Sequence, residues 1–392
     1  MATRTLNSVT YRRLPSWMQY WASVLLVALL GFIYRIVKSQ WYRAWADEWL
    51  TIGYVSDFNS LQGYLFEFPI IQPHFPTYYM GLDVWLSLVG SSYQAARLYS
   101  SLWGLLGIVA IALLGVTLRN RRTGLIAALV LAFNPFHIYL SQTIRMYSML
   151  ICLSALSLTT FLRYRRRRTT LRLTAYVSIT LLFAYTHVFA FFFVAAQLLQ
   201  LLLSLDCNVL RGYFVPGMII GVGLLPGTAL LLWRVLLQTN PNGRGSIEAI
   251  PHVEGAPGLY DAGAVFVRLL VGRFNHILEL VPLLLISAMA LYAVSQLWHT
   301  DRFSATTLVA WVFLPMLVTG ILSYVLFPLW DWNQARYLSP IMPAILVAFA
   351  LGIDLLEVNP NVHPNMGYLL LVPTLGLLNT VTWLMQYLVY VF

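Results

Sequence analysis

Asp47 and Glu48 stand side by side just beyond the first long apolar run of the chain. An acid pair at a membrane edge is costly when desolvated, so it needs water or a cation beside it. Two readings are open. The pair is an interface salt bridge with Arg43, or one carboxylate takes a proton from an acceptor hydroxyl as a general base. Three arginines share that side of the membrane under the threading derived below: Arg97, Arg145 and Arg336, each at a helix mouth. Snorkelling to headgroups explains any one of them. Together they also make a phosphate clamp, because guanidinium groups bind phosphate bidentately and keep their charge when partly buried. Tyr337 adjoins Arg336, and Tyr147 lies beside Arg145 in the segment Ser141 to Tyr147. His187 interrupts an apolar run and reads as a hydrogen-bonded packing residue or as a ligand of phosphate or metal. His74, in the Pro-aromatic segment Gln72 to Tyr79, is a candidate for positioning a substrate.

The elements that must position these residues are apolar helices. Of 392 residues, 59% are hydrophobic and only 10% charged, which excludes a soluble domain of this size. A bilayer core of ~30 Å needs ~20 apolar residues per helix. Eleven stretches qualify, near 17–36, 93–118, 123–141, 146–162, 172–187, 188–205, 212–236, 277–297, 304–327, 338–356 and 366–390. The expectation is an all-α polytopic membrane protein forming a single transmembrane domain over 1–392, with no repeat and no soluble domain. The run Arg163 to Arg168, with Arg119, Arg121, Arg122 and Arg172, marks the cytoplasmic loops. The net charge of +10 is therefore a matter of orientation and anionic-lipid contact, and nucleic acid is not an expected partner. Arg35, Lys38 and Arg43 run against the rule on the other side. Cys152 and Cys207 are too distant in topology for a disulfide or metal site. The first helix lacks a small-residue cleavage site and reads as an anchor.

Two long non-spanning segments fall outside. Residues 38–92 are rich in aromatics and read as interface helices, with 46–58 one of them. Residues 238–276 contain a Gly/Pro-rich loop from Asn240 to Gly258 and a second interface helix from Val265 to Phe274.

These residues in order resemble the GT-C superfamily of integral-membrane glycosyltransferases, of the dolichyl-phosphate-mannose protein mannosyltransferase and aminoarabinose-transferase kind (glycosyltransferase family 39-like). The resemblance rests on Asp47-Glu48 after helix one and on Pro73 to Tyr79 ahead of Ala96-Arg97-Leu98-Tyr99. It rests further on Asn134-Pro135-Phe136-His137 leading to Ser141-Gln142 and Arg145-Met146-Tyr147-Ser148, on Tyr185-Thr186-His187, and on Arg336-Tyr337-Leu338 with Pro340 and Pro343. It covers roughly 40–200 and 330–352.

The resemblance implies an enzyme that moves a monosaccharide from a polyprenyl (dolichyl-type) phosphate to an acceptor on a protein, glycan or lipid, with inversion, at the external face of the plasma membrane. It implies Asp47 as base and Glu48 as its orienting partner. Arg145 and Arg336 would hold the lipid phosphate with Tyr337, His187 and Arg97, while His74 and Tyr147 would position substrate. Thr143 stands where relatives often carry a metal-assisting Glu, so no cofactor is expected with certainty and a divalent ion is doubtful. The competing class is a transporter or flippase of a lipid-linked sugar. Such a protein would be expected to show repeats and mid-membrane charges.

Overall fold

The computed structural model describes residues 15–39, 46–58, 60–68, 75–238, 259–272, 280–325, 334–360, 362–363 and 365–388, and among these residues there is no strand. The first half of the chain forms α1 (Ser16–Ser39), α2 (Ala46–Asp57), α3 (Thr77–Val89), α4 (Tyr93–Leu118), α5 (Arg121–Ala132), α6 (Pro135–Ser141), α7 (Tyr147–Arg166) and α8 (Thr170–Ala184). The second half forms α9 (Ala190–Leu203), α10 (Cys207–Gln238), α11 (Leu259–Val271), α12 (Leu280–Thr300) and α13 (Arg302–Val325). A 3-10 segment, Gln334–Ile341, then leads into α14 (Met342–Glu357) and α15 (Met366–Leu388).

Seven of the described helices are long and apolar enough to cross a bilayer, and α5 with α6 makes an eighth if the pair is one bent span. Three further apolar helices, α8, α9 and the start of α15, are shorter. The protein is thus an all-α, multi-pass membrane protein, with seven or eight full spans among the described residues where eleven were expected over the whole chain. The run 172–205 divides around Thr186 and His187, as its polar break predicts.

Three differences from the expected elements have local causes. The stretch 123–141 is not one straight span, because its two helices meet at 66°. Pro135 opens α6 and has no N–H to continue α5, while Asn134 caps the new helix by accepting from the His137 N–H at 2.8 Å. The helix expected from Val265 to Phe274 starts earlier, at Leu259, and ends at Val271 before Gly272, whose φ is +93°. Arg35 is no loop charge, because α1 continues past it and buries it completely. Its guanidinium donates to the carbonyls of Gly31 at 2.6 Å and Ala132 at 3.1 Å, and to His137 Nδ1 at 2.7 Å.

Small residues let the central helices approach. A Cβ on Gly115 of α4 would lie 2.6 Å from the Gly124 Cα of α5, so the α4–α5 crossing is built on backbone contact. Around this pair pack α1, α7 and α14, and that packed core is the frame from which the site residues project.

Candidate active site

Adjacent residues on a helix point about 100° apart, and α2 uses that difference to give its two acids separate tasks. Glu48 is buried and accepts both Arg97 Nη2 at 2.7 Å and Arg97 Nε at 3.2 Å. It also takes the backbone N–H of Ile144 at 2.9 Å. This two-pronged pair ties α2 to the start of α4 and to the turn carrying Arg145. Asp47 instead keeps 21% of its side chain exposed, with its Oδ2 3.3 Å from Arg145 Nη2 and 3.3 Å from Arg336 Nη1. Three elements far apart in sequence therefore converge on one carboxylate oxygen. Arg43, the other expected partner, lies outside the described residues.

Arg145 sits in the non-helical turn between α6 and α7. The turn is held by Ser101 Oγ donating to the Ser141 carbonyl at 2.9 Å and by Gln142 Nε2 donating to the Arg35 carbonyl at 3.0 Å. The Arg145 side chain is buried and its Nη1 lies 3.2 Å from Thr51 Oγ1 and 3.4 Å from Tyr79 Oη. Its Nε is buried without a hydrogen-bond partner among the described residues. Thr51 and Tyr79 were not anticipated. Thr51 lies one helical turn beyond Asp47 on α2, a spacing that puts both on one face.

Arg336 enters from the 3-10 segment with its guanidinium 5.4 Å from the Tyr337 ring centre and 5.8 Å from that of Tyr147. Tyr337 stacks on Phe189 at 5.1 Å and on His187 at 5.4 Å, so an aromatic wall backs the arginine. Tyr147 is buried, and its hydroxyl has no hydrogen-bond partner among the described residues. His187, in the turn between α8 and α9, accepts the Phe189 N–H at Nδ1 (3.2 Å), which leaves the ring proton on Nε2. Burial, followed by the Arg145 and Arg336 charges, pushes its pKa down to about 3. The imidazole is neutral at physiological pH, able to donate a hydrogen bond but not to supply a cation.

The structure thus brings Asp47, Arg145, Arg336, Tyr337, Tyr147 and His187 together. Arg97 stands apart from the expected clamp, because its fork is committed to Glu48. Glu48 in turn orients the Arg145 turn more directly than Asp47. His74 lies outside the described residues. The donor set does not suit a divalent ion: two guanidiniums occupy the surroundings of Asp47, and Thr143 Oγ1 donates to the Leu140 carbonyl at 3.0 Å. What the arrangement can do is hold an oxyanion between two fixed cations beside a partly exposed carboxylate.

No family model and no curated protein sequence matches the chain. Solved structures do. The chain aligns with ArnT, an aminoarabinose transferase from Cupriavidus metallidurans, at a TM-score of 0.63 and 13% identity, covering 94% of this chain and 76% of that one. A second ArnT structure, bound to undecaprenyl phosphate, aligns at 0.58 and 13% identity, covering 94% and 75%. The oligosaccharyltransferase AglB of Archaeoglobus fulgidus, in complex with an inhibitory peptide and a dolichol-phosphate, aligns at 0.58 and 14% identity, covering 94% of this chain. The chain spans only 56% of that AglB chain's length. An arrangement of helices shared over nearly the whole chain at such low identity is a likeness of fold: the chain folds as ArnT and AglB do.

Proposed function

We propose that the protein transfers a monosaccharide from a polyprenyl phosphate to an acceptor hydroxyl at the Asp47 site. The observation that carries this reading is the convergence of Arg145 and Arg336 on Asp47 Oδ2, both at 3.3 Å. A carboxylate between two arginines marks a position where an anion is stabilised, and the lipid phosphate of the donor is an anion with the same bidentate geometry. The lipid-phosphate ligands of the ArnT and AglB structures support the donor class. Nothing in the fold favours the alternative of a transporter.

In the proposed step the acceptor oxygen attacks the anomeric carbon from the face opposite the phosphate, so the configuration inverts. The bond from that carbon to the phosphate oxygen breaks, and the bonding pair leaves with the lipid phosphate. Negative charge grows on the phosphate, where Arg145 and Arg336 stabilise it, each worth ~3–4 kcal/mol if it acts as a typical fixed donor. The acceptor proton passes to Asp47. Neutral His187 and the Tyr147 hydroxyl donate hydrogen bonds to the phosphate or the sugar, and the Tyr337 wall keeps Arg336 in place. Glu48 and Arg97 hold α2 and the Arg145 turn in register. The acceptor is a hydroxyl on a protein, glycan or lipid, and no divalent ion takes part.

We place this site on the external face of the plasma membrane, because Arg119, Arg122 and the 163–168 run gather at the opposite helix ends. Reconstitution in nanodiscs with a synthetic polyprenyl-phosphate monosaccharide and a hydroxyl acceptor tests the reaction. The expected products are free polyprenyl phosphate and a glycoside of inverted configuration by NMR. Retention of configuration would contradict the mechanism. Labelling of Thr169→Cys from outside intact cells would contradict the threading.

A further inference from the structure

The far end of α7 carries a second polar site. Arg165 lies roughly 27 Å along the helix from Tyr147 at ~1.5 Å rise per residue, so this site is separate from the Asp47 centre. A cavity of about 410 Å³ opens there among the ends of α7, α9 and α12 and the starts of α10 and α13. Its polar lining includes Arg165, Gln200, Asp206 and Arg302, together with Ser204 and Thr306, with Trp298 beside them.

The charges are arranged as for a ligand. Arg302 is exposed, packs its guanidinium 4.8 Å from the Trp298 ring centre, and forms no ion pair among the described residues. Arg165 sits 4.0 Å over the Phe303 ring, with Asp301 at 3.2 Å. Gln200 is only 1% exposed. Its Nε2 donates to the Phe303 carbonyl at 3.2 Å, while its Oε1 has no hydrogen-bond partner among the described residues. A buried amide oxygen without a donor is uncommon in a folded protein, and Gln200 lines a cavity that Asp206 also lines, with Asp206 Oδ1 accepting the Asn208 N–H at 2.8 Å. Two cations, a carboxylate and an amide around one cavity match a phosphate joined to a hydrogen-bond-donating ammonium. At the mouth, Leu203 and Leu205 are exposed, and Leu205 is held at φ +49°, in the left-handed region that a leucine rarely adopts. Two outward leucines beside a headgroup-sized cavity suit the start of acyl chains.

We infer that this cavity binds the phosphoethanolamine headgroup of a membrane phospholipid. The phosphate rests on Arg302 and Arg165, and the ammonium donates to Gln200 Oε1 and Asp206. A soluble phosphoethanolamine compound carries the same polar chemistry, and Leu203 and Leu205 favour the lipid.

Native mass spectrometry of the full chain, released from detergent, tests this with dioleoyl phosphatidylethanolamine as the probe. Phosphatidylcholine, whose ammonium has no N–H, is the control. The first ethanolamine lipid should bind at least about tenfold more tightly than the choline lipid, a difference of the size one charge-assisted hydrogen bond produces. Gln200→Leu and Arg302→Gln should each weaken it by about tenfold. Arg302 is exposed, so its variant keeps the test valid if Gln200→Leu fails to fold. Equal binding of the two lipids, or unchanged binding in Arg302→Gln, overturns the proposal. Equimolar glycerophosphoethanolamine should not displace the lipid. Displacement would reassign the cavity to a soluble ligand and overturn the lipid assignment.

Discussion

Two aspartates in this molecule each face two arginines, and they do so in opposite ways. Asp354, at the end of α14, is only 2% exposed and its Oδ2 accepts Arg119 Nε at 2.6 Å and Asn120 Nδ2 at 2.8 Å. Thr123 Oγ1 also donates to Asp354, at 3.3 Å, and Arg122 Nε lies 3.9 Å from its Oδ1 while pairing with Glu357 beside it. Its lone pairs are taken up by the turn between α4 and α5, so the carboxylate is a joint. Asp47 is 21% exposed, and its two arginine contacts are both 3.3 Å, longer than a typical charge-assisted hydrogen bond. Composition alone does not separate the two sites. Saturation and access do: a carboxylate gripped by short bonds from Arg119 and Asn120, with no opening, holds helices, whereas one with only long contacts and an opening can take part in chemistry.

The contrast can be broken by substitution, and the expected effects fall in order. Asp47→Asn should lower sugar transfer by ~10²–10⁴-fold, the usual contribution of a general base, with expression and thermal stability unchanged. Glu48→Gln should act on the structure instead. It leaves Arg97 buried without its counter-charge, a loss of ~3–5 kcal/mol measured as a fall in the unfolding midpoint in detergent. Arg336→Ala should reduce turnover by ~10²–10³-fold, and Arg336→Lys should recover only part of that, because the planar fork is lost. Asp354→Asn should cost ~1.5–3 kcal/mol of stability while the folded fraction keeps wild-type turnover per molecule. Turnover loss in Asp354→Asn beyond its unfolded fraction would erase the distinction between the two ends.

Much of this was legible in the chain. The polar punctuation at His187 and the arginine clusters marked out the helices, and Asp47, Arg145 and Arg336, singled out in the sequence, lie together in the structure. Other features required three dimensions. Nothing local in the sequence tells that Glu48 points to Arg97 and Asp47 away from it, although the ~100° step of a helix says that neighbours cannot share one partner. Arg97 therefore read as a third phosphate ligand when its fork is occupied. Arg35 read as a misplaced surface charge, because a fully buried arginine served by carbonyls and His137 Nδ1 leaves no acidic partner to find in the sequence. The bend between α5 and α6 was written in Asn134-Pro135, but hydropathy averaged over it. Thr51 and Phe189 carry no signal except their spacing from Asp47 and His187.

In the proposed site Arg145 and Arg336 hold a lipid phosphate in competition with the Asp47 carboxylate. The affinity of purified variants for polyprenyl phosphate, titrated in nanodiscs, tests it directly because two substitutions should move it in opposite directions. Arg336→Ala removes a cation and should weaken binding by at least about tenfold. Asp47→Asn removes the competing anion and should leave binding as tight as wild type or tighter. Loss of lipid-phosphate affinity in Asp47→Asn, or wild-type affinity in Arg336→Ala, would contradict the account.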